Sequence, residues 1–363
     1  MDRIWWKQIT KASVFTSKVI EALVAGDSVI LSLPRHVPWY ATLTDIITEG
    51  IIEHGIPRSV DYVDGTNDPG KYLLDNYCKK ETRLQYRVGK SYAAFLAEQE
   101  SITLNSTIVW VENLDAKSLG AWVSFIHEYN RRLPASREGG LFILEIRGEE
   151  SVTGGKRIQC ISFSSEISAY DKYTFCTLVS TTARVDNRVR QYLAELVSSV
   201  CSDDVELCAQ CFAGGTEFAR DPVAYLEHVS DSKLRSDGTH FAIDMTPDEL
   251  RYRIWESQIR MIFPLIERFR MQFISDHRLE ILRELPKETA FGERIESPED
   301  VEIGLLYYLT YSGAIQMRDN NEYGHIRVFK DARNDLAHTN SLSFETVCEI
   351  LIGKRAAVTV CDN

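Results

Sequence analysis

Short apolar runs alternate with helix-like patterns through roughly the first 240 residues. Near-continuous apolar strands separated by helices are typical of a parallel sheet that is covered on both faces. The predicted strands are Ser28–Leu33, Ser59–Asp64, Thr107–Glu112, Leu141–Ile146 and Ile158–Phe163. The predicted helices are Ala12–Ala25, Trp39–His54, Lys117–Arg132, Asn187–Cys201 and Val205–Phe212. The pattern predicts a three-layer α/β domain with a parallel sheet over residues 1–240, ending in a small helical tail.

From about Met245 the strand pattern stops and helical spacing takes over. Apolar residues from Ile262 to Phe273 recur on one helical face, and Pro264 predicts a kink or a join between two helices. Ser297–Asp300 has the composition of a capped helix start, and Phe344–Leu351 predicts the last helix. These signals predict an all-α bundle of four or five helices over residues 245–354, followed by a tail at 355–363.

Composition agrees with two folded domains and limits their partners. The chain has 363 residues, of which 44% are hydrophobic, and a formal net charge of -12. Both parts of the chain are acidic, because Met245–Asn363 holds 15 of the 41 basic residues and 20 of the 53 acidic residues. This excludes broad electrostatic binding to nucleic acid or to an anionic membrane. With no signal-peptide pattern and no run of about 18 apolar residues, we expect a cytoplasmic protein with no membrane association.

The cysteines predict buried, reduced thiols and no metal site. Cys201, Cys208 and Cys211 include a single C-x-x-C pair, whereas structural zinc needs four ligands. Cys208 and Cys211 are also three positions apart in a predicted helix, which favours two buried neighbours. We therefore expect no metal and no cofactor.

The loop after the first predicted strand lacks the features of a phosphate-binding loop. Such a loop needs glycines and a lysine, but Leu33 is followed by PRHVPWYATL. The third strand nevertheless ends as a Walker B strand does, with Glu112 and then Asn113, and the fourth ends at Arg147. In these features residues 12–230 resemble STAND-type relatives of the AAA+ ATPases. The resemblance implies a degenerate P-loop domain, and the altered loop predicts that it is nucleotide-inert; an unrelated α/β domain is the other interpretation.

The sequence Arg333-Asn334-Asp335-Leu336-Ala337-His338 is the sharpest chemical feature. Asn334 and His338 share a helical stripe at i and i+4, and Arg333 is one position round. Arginine binds phosphate through its fork of donors, and histidine transfers protons near neutral pH. This combination suits RNA cleavage by the substrate's own 2'-hydroxyl group without a metal. On the same predicted helix Arg327 and Lys330 extend a local basic stripe that we expect to bind RNA.

The six residues match the signature of the HEPN family, and their helical surroundings over residues 245–354 are similar as well. The resemblance implies a metal-independent endoribonuclease in which Arg333, Asn334 and His338 act at a homodimer interface. It also implies an effector of a prokaryotic defence or toxin–antitoxin system, with a further protein partner in a multi-subunit assembly and control by the ATPase-like domain.

Two other functions remain open from the sequence. The chain could be a non-catalytic adaptor that binds a partner ATPase, nuclease or methyltransferase, which the degenerate loop favours and the intact RNDLAH opposes. The third function is a nucleotide-dependent switch with an unorthodox loop. A helix-end arginine and histidine can also do no more than satisfy terminal carbonyls.

Overall fold

The computed structural model describes residues 1–353, except 56, 88, 135–136, 149–153, 289–291, 293 and 318–319. The predicted tail at 355–363 therefore lies outside the described residues. The chain divides into two compact units, Met1–Asp171 and Lys172–Asn363.

The first unit is built around a five-stranded, fully parallel sheet, which confirms the α/β class. Its strands are β1 (Ser28–Leu33), β2 (Ser59–Asp64), β3 (Thr107–Glu112), β4 (Leu141–Arg147) and β5 (Ile158–Ser162). Their order in the sheet is β2-β3-β4-β1-β5. The helices that connect and cover them are α1 (Asp2–Gln8), α2 (Thr10–Val24), α3 (Tyr40–Glu53), α4 (Pro69–Tyr77), α5 (Lys80–Arg83), α6 (Tyr92–Glu98) and α7 (Ala116–Arg132), with a 3-10 turn at Thr103–Ser106.

The three central strands are buried along almost their whole length. In β1, β3 and β4 nearly every residue is inaccessible, whereas the edge strands β2 and β5 are mostly exposed and bury only Val63, Ile158 and Ile161. Large aromatic side chains fill the space between the sheet and α7, among them Trp122, Tyr129 and Phe142. Positive φ angles of 80° at Gly26 and 75° at Gly55 explain why α2 and α3 end there.

In the part that the structure describes, the regular elements of the second unit are helices and one small hairpin. Its helices are α8 (Ala169–Ser180, which begins in the last residues of the first unit), α9 (Asn187–Val200), α10 (Val205–Arg220), α11 (Pro222–Ser232), α12 (Pro247–Asp276), α13 (Arg278–Arg283), α14 (Ile303–Tyr311), α15 (Asn320–Ala337) and α16 (Phe344–Ile352). The hairpin pairs β6 (Lys287–Glu288) with β7 (Arg294–Ile295), and a 3-10 turn spans Pro298–Asp300.

The long helix α12 organises this unit, since α9, α15 and α16 all contact it. The buried amide of Gln258 on α12 donates to the Tyr192 hydroxyl at 3.1 Å and to the Leu342 carbonyl at 3.0 Å. Its oxygen accepts from the Leu342 N–H at 2.7 Å. Phe269 stacks on Phe329 of α15 with ring centroids 4.2 Å apart. The hydrogen bonds of Gln258 and the stacked rings of Phe269 and Phe329 thus hold α15 and the loop after it against α12.

The division between the two units differs from the boundary that the sequence predicts between residues 240 and 245. The sequence predicts that α9 and α10 form a helical tail of the α/β domain, but both helices belong to the second unit. The reason is packing, because the apolar face of α9 lies against α12 and α16. Sequence periodicity reveals that such a face exists but not which helix covers it.

The structure modifies two predicted features of the bundle. Pro264 lies inside α12, which is 30 residues long, so that a join between two helices, one of the two predicted alternatives, is wrong. Ser297 precedes the 3-10 turn with Pro298 in its first position, but its hydroxyl group bonds to Glu299 instead of capping the turn, and α14 begins only at Ile303. Arg270 explains the delay, since its guanidinium binds the carbonyls of Glu299 and Val301 at 2.8 and 3.0 Å and holds the intervening turn.

Candidate functional site

The RNDLAH residues lie at the carboxyl end of α15. Leu336 is fully buried there, whereas Asn334 and His338 are exposed and Arg333 is partly exposed. Asn334 and His338 lie one helical turn apart, and the backbone N–H of His338 donates to the Asn334 carbonyl at 3.1 Å. The helix therefore presents an amide and an imidazole on one solvent-facing stripe.

The helix end is closed by backbone hydrogen bonds that define its geometry. The N–H of Asn340 donates to the Asp335 carbonyl at 2.9 Å, and that of Thr339 donates to the Leu336 carbonyl at 3.3 Å. These two bonds form a Schellman motif with Thr339 at the left-handed position, where its φ is 63°. A β-branched residue is strained in this conformation. The chain thus carries backbone strain next to His338.

The last turn of α15 is also anchored by a side chain. The indole N–H of Trp255 on α12 donates to the Leu336 carbonyl at 2.7 Å. That carbonyl is one of the groups that a helix end leaves without an intrahelical partner. The bond holds the backbone two residues before His338, so that the position of the imidazole is set by the rigid helix rather than by the loop.

Arg333 points toward the start of α14. Its Nη2 donates to Oε2 of Glu302 at 2.8 Å, with a third of the Arg333 side chain exposed. Among the contacts of the described residues, none joins Arg333 to Asn334 or His338. Within one copy of the chain, the Arg333 guanidinium is therefore held by Glu302 rather than by the other residues of the motif.

The predicted basic stripe is accompanied by acids. Arg327 Nε lies 3.7 Å from Oδ2 of Asp331, and Lys330 Nζ lies 2.5 Å from Oδ1 of the same residue. Together with the pair between Arg333 and Glu302, every cation of the stripe has a carboxylate within 4 Å. The stripe is exposed at Arg327 but has little net charge.

The carboxyl ends of the sheet hold a second polar cluster, in the first unit. The Tyr40 hydroxyl at the start of α3 lies 2.8 Å from Oε1 of Glu112 and 2.6 Å from Oε2 of Glu145. Glu145, buried in β4, also accepts from Trp110 Nε1 at 2.9 Å and from Arg147 Nε at 2.6 Å. Burial, and then the charge of Glu145, raise the pKa of Tyr40 well above its usual range.

This cluster brings together two of the three predicted nucleotide-site positions. Glu112 and Arg147 both contact Tyr40, since the Arg147 guanidinium lies 4.4 Å from the centre of the Tyr40 ring. Asn113, at a φ of 56°, instead lies near Asp64 at the end of β2, where after Thr66 it helps to lower the pKa of that carboxyl group. The carboxylates at this edge are thus satisfied by tyrosine, tryptophan and arginine of the chain itself.

Four cysteines of the second unit lie closer together in the fold than their spacing in the sequence indicates. Sγ of Cys201 and Sγ of Cys211 are 3.5 Å apart, and Cys176 and Cys208 interact in the same buried cluster. All four are inaccessible, and burial raises the pKa of the Cys211 thiol. Within the described part of the chain, no group of three or more histidine, cysteine or acidic side chains is arranged to hold a metal ion.

Sequence reasoning missed three residues that shape these sites. Glu145 left one signal, a carboxylate within the apolar strand LFILEIR. Tyr40 and Glu302 left none, because each meets its partners only through tertiary packing.

Two further findings concern the likeness of the chain to known proteins and its capacity to cross a membrane. No established protein-family model matches it, and no curated protein proves similar to it. None of its described helices is both long and apolar enough to cross a bilayer.

Proposed function

We propose that this chain is a metal-independent endoribonuclease of the HEPN type, with the site residues Arg333, Asn334 and His338. The observation that carries the proposal is the exposure of Asn334 and His338 on one stripe of α15. If the RNDLAH sequence served only to close the helix, these side chains would bond to the terminal carbonyl groups. Those carbonyls instead accept from Trp255 and from backbone N–H groups, which leaves the imidazole accessible to a substrate.

In the proposed reaction His338 removes the proton from the 2'-hydroxyl group or protonates the leaving oxygen. Arg333 binds the phosphate as negative charge builds on it. Since no contact joins Arg333 to His338 among the described residues of one copy, a cleft between two copies would combine them around one phosphate. A homodimer through the helical bundle is therefore part of the proposal.

The wider setting is proposed from the same resemblance. The chain acts in the cytoplasm as an effector of a prokaryotic defence or toxin–antitoxin system, together with a protein partner. Its ATPase-like domain serves as a regulatory domain that binds no nucleotide. The bridge from Tyr40 to Glu112 and Glu145 supports this role, because carboxylates engaged in this way are not free to hold Mg²⁺ and phosphate.

The direct test is RNA cleavage in the presence of EDTA. We expect the unmodified protein to leave 2',3'-cyclic phosphate ends, and Arg333→Ala and His338→Ala each to reduce the rate by about 100-fold or more. Two matched controls are Arg251→Ala, which removes an arginine paired with Asp248 at 2.7 Å, and His240→Ala, which removes an exposed histidine of the same unit. Both should cleave at the unmodified rate. Equal cleavage by all five proteins would refute the site.

A specific observation favours a second function, the non-catalytic adaptor. Arg327, Lys330 and Arg333 are all paired with carboxylates of the chain itself, which lowers the local attraction for phosphate. RNA left intact by the unmodified protein would favour this function. Its partner would then be an ATPase, a nuclease or a methyltransferase.

A further inference from the structure

Four tyrosines form one surface of the helical unit, which we call the tyrosine face. It consists of Tyr307, Tyr308 and Tyr311 on α14 and Tyr323 on α15. The Tyr307 and Tyr323 hydroxyl groups are 3.0 Å apart, and their ring centroids are 5.7 Å apart. Tyr308 is 55% exposed and Tyr311 is 75% exposed. Large aromatic rings that lie together and are this exposed indicate a binding surface that another molecule covers.

Cations are interleaved with these rings. Lys287 Nζ lies 5.0 Å from the centre of the Tyr308 ring, and Lys330 Nζ lies 4.9 Å from that of Tyr307. Arg327, which is 67% exposed, follows Tyr323 by one turn of α15. The face therefore combines flat aromatic surfaces with positive charges at spacings of one side chain.

The tyrosine face is continuous with the RNDLAH end of α15. The contacts follow an antiparallel order. Glu302, just before α14, lies beside Arg333, and Tyr307 lies beside both Lys330 and Tyr323, which is about two turns further back on α15. From Tyr323 to Arg333 the helix rises by about 15 Å. A strand of RNA with its phosphate at Arg333 would pass over the rings without leaving the surface.

We propose that the tyrosine face is a stacking platform for the unpaired bases of single-stranded RNA. Bases of every type present a flat ring that stacks on aromatic side chains, while nearby cations follow the phosphates. A duplex hides these base faces, so the platform selects single strands, loops or ends. As a substrate preference this inference rests on the proposed function; as a binding site it stands separately.

The composition of the face favours RNA over a second copy of the chain. The buried centre of a protein–protein interface is depleted of charged residues. Here two of the rings already carry a lysine within 5.0 Å, which a partner protein would have to bury. A polyanion gains from Lys287, whereas Lys330 is shared with Asp331 at 2.5 Å, and the tyrosines supply the affinity that the chain's net charge of -12 opposes.

The test measures binding with cleavage removed. In a His338→Ala background, fluorescence anisotropy of a labelled oligouridine reports affinity while the strand stays intact. We expect Tyr308→Ala and Tyr311→Ala each to weaken binding by about tenfold, and the two phenylalanine variants to bind as the parent does, because stacking needs the ring and not the hydroxyl group. Tyr170→Ala removes a ring with the same 75% exposure in the other unit and should change nothing.

Three outcomes would overturn the inference. The first is unchanged affinity in both alanine variants; if cleavage still depends on His338, the proposed nuclease then stands without its platform. The second is equal affinity for a duplex of the same length. The third is a loss of the dimer mass by light scattering with affinity unchanged, which would place a second copy on this face. Weakened binding in a chain that never cleaves RNA would support the platform and refute the nuclease.

Discussion

Glu302 holds the guanidinium that the proposed reaction requires. At 2.8 Å its carboxylate occupies the donors with which Arg333 would bind a phosphate, and it is itself largely exposed. Exposed pairs of this kind contribute only about 0.2–1 kcal/mol, so that an RNA phosphodiester, which gains negative charge during the reaction, can displace the carboxylate. Glu302 is therefore positioned to keep Arg333 in place and to lower its affinity for RNA.

Glu302→Gln should raise the rate of RNA cleavage by about 1.5- to 5-fold, because it removes the competing charge and keeps the shape of the side chain. Initial rates at low and at physiological salt check this, and the gain should shrink as salt screens the pair. Glu345→Gln, which alters an exposed pair with Arg220 at 3.4 Å, serves as the control. A fall in rate instead would mean that Glu302 orients Arg333 for reaction.

At this scale the sequence predicts candidate chemistry but not the contacts around it. Arg333, Asn334 and His338 are predicted as site residues from their order alone, and their role stays a prediction. Glu302 lies 31 residues from Arg333, and Trp255 lies 81 residues from Leu336. Contacts over such separations depend on helix packing, which a single sequence does not specify.

The elements themselves were well predicted wherever local signals decide them. β1, β2 and β3 have the predicted bounds, because each is a short apolar or alternating run between turn residues. The start of α14 was wrong by several residues, since Arg270 captures the carbonyls that a helix at Ser297 would use. Capping chemistry in the sequence is a local preference, and here a distant arginine outweighs it.

Thr339→Gly should stabilise the end of α15 by about 0.5–1 kcal/mol. Glycine adopts the left-handed conformation at φ 63° without the steric cost that threonine has, although it loses more backbone entropy on folding. Thermal melting followed by circular dichroism should show a higher midpoint. Ala337→Gly, at an exposed helical position two residues before Thr339, should lower it by a similar amount. No rise for Thr339→Gly would show that the strain is relaxed in solution.

For the whole molecule, the composition predicted two folded parts, and the structure has two compact units of different class. The sheet of the first was predictable because five apolar runs recur between helices. The limits of the units could not be predicted, since the sequences of α9 and α10 do not indicate which core these helices join. Only the pairing of apolar faces assigns them, and that pairing is a property of the folded chain.

The first unit should bind no nucleotide. Calorimetric titration with ATP and Mg²⁺ should give no heat of binding, because Tyr40 bridges the carboxylates at the end of the sheet. Tyr40→Phe removes the bridge and leaves Glu112 and Glu145 without this donor, which should destabilise the unit by about 1–3 kcal/mol and still create no nucleotide site. Saturable heat from the unmodified protein would revive the nucleotide-dependent switch.

The hydrogen bond from Trp255 to Leu336 has a practical consequence. The other tryptophans, Trp5, Trp6, Trp39, Trp110 and Trp122, all belong to the first unit, so Trp255 is the one indole between Lys172 and Asn363. Indole emission depends on the polarity and hydrogen bonding around the ring. The difference between the spectra of the chain and of Trp255→Phe therefore isolates a built-in optical probe, hydrogen-bonded to the backbone two residues before His338, with which events at the motif can be timed without any attached dye.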